Sequence, residues 1–180
     1  MDLFIPPKYY YAEEIFTLEQ ARLFRPAWQL AGFLSDLRSH DDYFTADIGG
    51  HSVVVQNCAG QLCAFRNVCS HRFSRIQVEI KGNRPLRCPY HGWTYDEEGC
   101  PSGIPSRPRF DDLTPERIRS LALRSYDLGV CGQFVFVRER ANGPTLAAFL
   151  GEIAEVLERI SASMGDLVEC HRLTIAANWK

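Results

Sequence analysis

The sequence predicts a mainly β fold with flanking helices, an α+β arrangement around one antiparallel β domain. Three observations predict it. Between Trp28 and Val137, short β-rich runs alternate with turn residues. Toward either end of the chain, apolar residues shift to the three- and four-residue spacing of helices. The chain has 180 residues, 46% hydrophobic and 23% charged, and a chain of this size removes roughly 70% of its unfolded surface from water without staples.

The first segment carries Tyr9, Tyr10 and Tyr11 and then a helix signal. Thr17 with Gln20 has capping-box spacing, Leu18, Leu23 and Phe24 form an apolar face, and Pro26 ends it. Five strands are then expected, over 28–33, 43–48, 52–56, 62–67 and 133–138. Gly49-Gly50 and Ala59-Gly60 separate neighbouring runs at hairpin distance. The Pro-, Arg- and Ser-rich stretch 102–115 is expected as a surface loop. After Asn142-Gly143-Pro144, the residues Leu146, Phe149, Leu150, Ile153, Val156, Leu157 and Ile160 predict one amphipathic helix of roughly 16 residues, capped by Thr145 and stopped by Gly165. A β-like stretch over 167–176 leads into Asn178-Trp179-Lys180, without a closing turn or polar tail, and the chain reads as a fragment of something longer. The division expected is a helical segment 1–27, a β domain 28–140, and a helix and strand 141–180 that open a further domain.

Composition excludes several functions. A formal net charge of -2 does not suit a broadly basic nucleic-acid binder. The longest uncharged apolar stretch, 128–137, is far short of the ~20 residues that span a bilayer. No basic region followed by an apolar run stands at the N-terminus, so a cytoplasmic location is expected. Seven cysteines, an odd number, then point away from a disulfide framework and toward metal or redox use.

Two loops carry the chemistry. Cys69-Ser70-His71 and Cys88-Pro89-Tyr90-His91-Gly92-Trp93 together give Cys-x-His-x16-Cys-x2-His. Each loop offers one thiolate and one imidazole. A Rieske [2Fe–2S] centre needs two Cys on one iron and two His on the other. Two loops approaching from opposite sides satisfy both irons. Imidazole in place of thiolate lowers the negative charge and raises the reduction potential above that of an all-Cys cluster. A structural zinc site is the competing reading, but zinc motifs pair like ligands at wider spacing than Cys-x-His.

The segments Asn67-Val68-Cys69-Ser70-His71-Arg72 and Cys88-Pro89-Tyr90-His91-Gly92-Trp93-Thr94-Tyr95-Asp96 resemble the Rieske domain of the α subunit of ring-hydroxylating non-haem iron oxygenases. Trp28-Gln29-Leu30-Ala31-Gly32 is similar to that family's first Rieske strand, and Ala177-Asn178-Trp179-Lys180 resembles the opening of its catalytic domain. The resemblance implies Cys69, His71, Cys88 and His91 as cluster ligands. It implies supporting roles for Arg72, Gly92, Trp93 and Tyr95, with the Tyr95 hydroxyl reaching a ligand sulfur. Respiratory Rieske proteins add a disulfide between the loops; Ser74 and Tyr90 stand at those positions here. Trp93 replaces the serine that donates to a cluster sulfur there, which implies a lower potential. One departure is Phe73, where the family has Gly after its His-Arg pair. It leaves the ligands intact and alters the outer surface of the first loop.

The resemblance also implies what is not in this sequence. Its oxygen chemistry uses a mononuclear Fe(II) on two His and a carboxylate, in a catalytic domain beyond Asn-Trp-Lys. Of five His, two serve the cluster; His40, His51 and His171 are read as surface or turn residues. No catalytic residue is therefore expected here, and the chain is expected to pass electrons rather than hydroxylate. Cys58, Cys63, Cys100, Cys131 and Cys170 share no motif spacing and are read mainly as small packing residues, with Cys100 in a more exposed turn. The function expected is the electron-transfer part of an oxygenase of the kind that degrades aromatic hydrocarbons, with a free-standing Rieske-type ferredoxin as the alternative. The partner expected is a ferredoxin or flavin reductase, with no nucleic acid and no membrane. It would meet a basic collar of Arg66, Arg72, Arg75, Lys81, Arg84 and Arg87. The resemblance further implies a homotrimer in the longer protein.

Overall fold

The computed structural model describes residues 4–110, 113–139, 142–165 and 173–180. In chain order it contains α1 (Glu13–Glu19), continued by a wider turn over Gln20–Phe24, then β1 (Gln29–Phe33), β2 (Asp42–Ile48), β3 (His51–Cys58), β4 (Gln61–Arg66), β5 (Lys81–Asn83), β6 (Thr94–Tyr95) and β7 (Pro101–Gly103). There follow α2 (Pro115–Ser120), β8 (Tyr126–Cys131), β9 (Phe134–Glu139), α3 (Leu146–Leu150) and α4 (Ile153–Ser163). The expected antiparallel β architecture with flanking helices is observed. The strands form three sheets, in the orders β1-β9-β8, β4-β3-β2-β5 and β6-β7.

Strand β3 explains the layering. Val53, Val54 and Val55 are fully buried, which marks a strand covered on both faces. Val53 and Val55 pack with Phe44, Tyr126, Val135 and Val137, between the two larger sheets. Val54 points the other way, into a second core holding Phe65, Cys69, Ile76, Leu86, Cys88, Trp93 and Tyr95. Both hairpins turn where expected. Gly49 and Gly50 have φ of 56° and 80°, and Ala59 and Gly60 of 56° and 94°, the left-handed pair that a two-residue hairpin turn requires.

Several expectations need correction. The first helix does not start at Thr17. Glu13 and Glu14 fill its first turn, where acidic side chains favour the helix N-terminus, and Thr17 lies inside it. The closing helix is broken. Thr145 caps α3 by accepting from Ala148 N–H, but Gly151 at φ 51° ends it and α4 starts afresh. The apolar spacing runs through this break unchanged, so periodicity cannot reveal it. The stretch read as a loop contains β7 and a short 3-10 turn over Arg107–Arg109 before α2 begins. Strand β8 was not expected, because Asp127 and Gly129 interrupt its apolar alternation. It pairs along its whole length with β9, from Tyr126 opposite Glu139 to Cys131 opposite Phe134.

A further correction concerns cysteines. Cys58 and Cys63 form a disulfide across the β3–β4 hairpin. Cys58 faces Gln61 and Cys63 faces Gln56, so the two lie diagonally on one face. Their Cα atoms are 6.6 Å apart, within disulfide reach. Cys131 is packing, as expected, buried with Trp28, Phe136 and Leu146 beneath α3 and α4. Cys100 is half-buried. His40 serves as a turn residue, its Nδ1 accepting from Ala59 N–H. His51 is not a surface turn residue: it is the first residue of β3, half-buried, with its Nδ1 3.5 Å from Arg66 Nη2. Cys170, His171 and most of the expected last strand lie outside the described residues; 173–176 are not in a strand.

Candidate metal centre

The loops bearing Cys69 and Cys88 close in the same way. Cys69 N–H donates to Ser74 C=O at 2.8 Å, and Phe73 N–H donates back to Cys69 C=O at 2.9 Å. In the second loop Cys88 N–H donates to Trp93 C=O at 2.8 Å, and Gly92 N–H to Cys88 C=O at 3.0 Å. Each is a six-residue return with one left-handed corner. Gly92 fills that corner at φ 74° and Phe73 fills its counterpart at φ 58°. Glycine takes this backbone freely, whereas an L side chain in it costs about 1–2 kcal/mol. Phe73 nonetheless stands 79% exposed.

A buried polar network fixes the loops to each other, and the sequence reading missed it. Asn67 is fully buried. Its Oδ1 accepts from Ile76 N–H and Gln77 N–H, at 3.1 and 2.8 Å, and its Nδ2 donates to Gln77 C=O at 2.7 Å. These bonds close the far side of the first loop. Gln77 Nε2 then donates to Gln56 Oε1 on β3 and to Arg84 C=O and Pro85 C=O on the segment entering the second loop. Gln56 Nε2 reaches Arg84 C=O and Asp41 Oδ1. A glutamine and an asparagine inside the run Val53-Val54-Val55-Gln56-Asn57 were the available signal, since polar groups stay buried only when satisfied.

Of the four residues expected as ligands, the loops place Cys69 beside Cys88 and His71 beside His91. Cys69 and Cys88 are buried at 1% and 2% exposure. The two imidazoles sit nearer the surface, with ring centroids 4.7 Å apart. Trp93 stacks on His71 at 5.0 Å with planes 3° apart, and Tyr90 lies against His91 at 3.7 Å. Tyr95 holds the expected position: its hydroxyl is 3.0 Å from Cys69 Sγ and accepts from Ser70 N–H at 3.0 Å. Arg72 is exposed. Ser70 Oγ donates to Leu121 C=O at 2.6 Å, which ties the first loop to the chain after α2.

Burial pushes the Cys69 thiol up; the Tyr95 hydroxyl and the backbone near His71 pull it down, and neighbouring Cys88 raises it again. Burial, then His91 and Arg72, hold His71 below the ordinary histidine value, which favours the neutral ring. Burial and the sulfur beside it raise Tyr95, so it keeps its proton and can donate to a thiolate. His71 Nδ1 is buried without a hydrogen-bond partner. A neutral ring with an orphaned buried nitrogen is suited to a metal. Among the described residues no three His, Cys, Asp or Glu side chains gather as a single-ion site needs. The donors instead form a sulfur pair and an imidazole pair, which fits a binuclear iron–sulfur group.

The chain is similar to known proteins over most of its length. The family model described as "Rieske [2Fe-2S] domain" matches residues 27–127. The glycine betaine monooxygenase oxygenase subunit of Pseudomonas aeruginosa is 28% identical over 180 residues, covering 98% of this chain and 41% of that protein. The benzene 1,2-dioxygenase α subunit of Pseudomonas putida is 30% identical over 183 residues, covering 98% and 40%. The chain thus spans about two fifths of the length of the curated relatives it matches. Among solved structures, naphthalene 1,2-dioxygenase from Rhodococcus superposes with a TM-score of 0.76 at 25% identity, over 87% of this chain and 36% of that one. The quaternary ammonium Rieske monooxygenase CntA shares the fold, with a TM-score of 0.77 at 24% identity over 86% and 43%.

Proposed function

Because the chain belongs to the Rieske [2Fe-2S] domain family, we propose that Cys69 and Cys88 hold one iron of the cluster and His71 and His91 the other. The orphaned Nδ1 of His71 carries this assignment, with a buried cysteine on each of the two loops. When bound, the group supplies a one-electron carrier. The protein's own residues do the rest. Tyr95 and Trp93 wall off the sulfur side from water, and the Tyr95 hydroxyl stabilises charge on Cys69. The imidazole side faces outward, where an electron can enter and leave over a short distance.

On this reading the chain is the electron-transfer part of an oxygenase α subunit. It relays electrons from a ferredoxin or flavin reductase to a mononuclear Fe(II) site elsewhere in the longer protein. The relatives matched over nearly all of this chain are named as oxygenase subunits, which favours this reading over a free-standing ferredoxin. Their names divide between quaternary ammonium and aromatic substrates. A cytoplasmic trimer, and a division into 1–27, 28–140 and 141–180, complete the proposal. Among the described residues no helix is long and apolar enough to cross a membrane.

Metal and acid-labile sulfide analysis, with an EPR spectrum after dithionite reduction, tests the cluster. Two irons and two sulfides per chain are expected, with loss of the signal in Cys88→Ser. Zinc without sulfide would overturn the assignment.

A further inference from the structure

We propose that Phe73 is a docking residue for an acidic electron-donor protein, set on the rim of an arginine-lined hollow that receives the donor's carboxylates. This rests on the cluster reading above. The two loops are closed by the same pair of hydrogen bonds, and the second uses glycine at its left-handed corner. The first places phenylalanine there, at φ 58° and 79% exposed. That side chain gains little burial within the protein to offset its strained backbone. A strained residue that its own fold does not repay points to a role outside the fold, and aromatic side chains anchor interfaces.

The surroundings specify the partner. Phe73 borders a hollow of about 740 Å³ whose lining includes Arg66, Arg117 and Arg124 and no acidic side chain. Arg124 is engaged by Glu139 and Arg66 lies beside His51, yet three guanidinium groups around one hollow leave it cationic. Cys69 and Ser70 form part of its wall, so a partner seated there lies against the first ligand-bearing loop. Exposed Arg72 and Arg75 extend the positive surface past Phe73. Opposite charge steers such an encounter, while the aromatic contact fixes its register.

The test uses the cluster-loaded full chain, with a photoreduced plant-type [2Fe–2S] ferredoxin as the acidic probe and dithionite as a small reductant. Stopped-flow measurements at low salt compare wild type, Phe73→Gly and Arg117→Glu. Each variant is expected to lower the second-order rate with ferredoxin by tenfold or more. Dithionite reduction and the EPR spectrum should stay as in wild type. Glycine suits the corner, so Phe73→Gly cannot act by misfolding the loop. Unchanged ferredoxin rates in Phe73→Gly overturn the proposal, as does a wild type that dithionite reduces and ferredoxin does not. If Phe73→Gly leaves the ferredoxin rate intact but shifts the sedimentation coefficient, a second copy of the chain is the occupant and the proposal fails. A chain without iron and sulfide fails the cluster reading instead, which is a separate outcome.

Discussion

The Tyr95 hydroxyl receives Ser70 N–H and lies against Cys69 Sγ, so its proton is aimed at the sulfur. A hydrogen bond to a sulfur stabilises the reduced cluster more than the oxidised one, because reduction adds negative charge. If that difference is about 1 kcal/mol, it corresponds to roughly 40 mV for one electron. Tyr95→Phe should therefore lower the reduction potential by tens of millivolts in an EPR-monitored titration, and a shift below about 10 mV would refute the role. The two loop corners make a paired stability prediction. Gly92→Ala should cost about 1–2 kcal/mol from its backbone alone, and its Cβ would also meet Arg87 Nη2 at 3.1 Å. Phe73→Gly relieves the same strain but adds about 0.5–1 kcal/mol of chain entropy, so denaturant melts should show stability unchanged or raised by up to about 1 kcal/mol.

At the scale of elements, the loops depend on Asn67. Asn67→Ala leaves Ile76 N–H, Gln77 N–H and Gln77 C=O without partners in a buried site. At about 1 kcal/mol or more for each orphaned group, the variant should lose about 2–5 kcal/mol and lower the urea midpoint. A midpoint equal to wild type would show that the network is dispensable. A second link joins α1 to the segment 177–180. The Glu19 carboxylate accepts from Trp179 Nε1 at 2.9 Å and Lys180 Nζ at 2.7 Å, and Asn178 Nδ2 reaches Tyr10 C=O. The Lys180 hydrogen bond, then that of Trp179, holds Glu19 below its usual value of 4.5. A depressed folded-state value means that the link contributes stability above the ordinary carboxylate range and loses it as pH falls through that range and below. Hydrogen exchange in 177–180 should thus be protected at pH 6–7 and lose that protection in acid. Glu19→Gln should lack the acid-dependent step. Much of this architecture was legible in sequence. Five strands, both hairpin turns and all four proposed ligands carry local signatures, either alternation, glycine pairs or tight Cys and His spacing. What was not legible depends on partners distant in the chain. Strand β8 is held by β9 despite a broken pattern. Gly151 splits a helix whose spacing never falters. The Asn67–Gln77–Gln56 network, like the Glu19 clamp, exists only once segments far apart in sequence meet.

For the whole molecule, charge is arranged rather than abundant. The net formal charge is -2, yet Arg72, Arg75 and Arg87 stand exposed around the loops. Part of the expected collar is occupied internally: Lys81 pairs with Asp36 at 2.8 Å, and Arg84 bonds to Arg87 C=O. Arg117 and Arg124 extend it on the other side. Because screening shortens from about 30 Å at 0.01 M salt to about 10 Å at 0.1 M, reduction by an acidic protein donor should slow by roughly tenfold or more across that range and above it. A flat profile in stopped-flow traces would remove the steering role. The two-storey core has a further consequence, for folding. The inter-sheet core of Val53, Val55, Tyr126, Val135 and Val137 contains no proposed ligand, and the loops are laced by side-chain bonds that need no metal. A zinc finger gains its fold from its ion; here the inter-sheet core predicts that the cluster-free chain keeps its β-sheet signal in circular dichroism, and a random-coil spectrum would refute that.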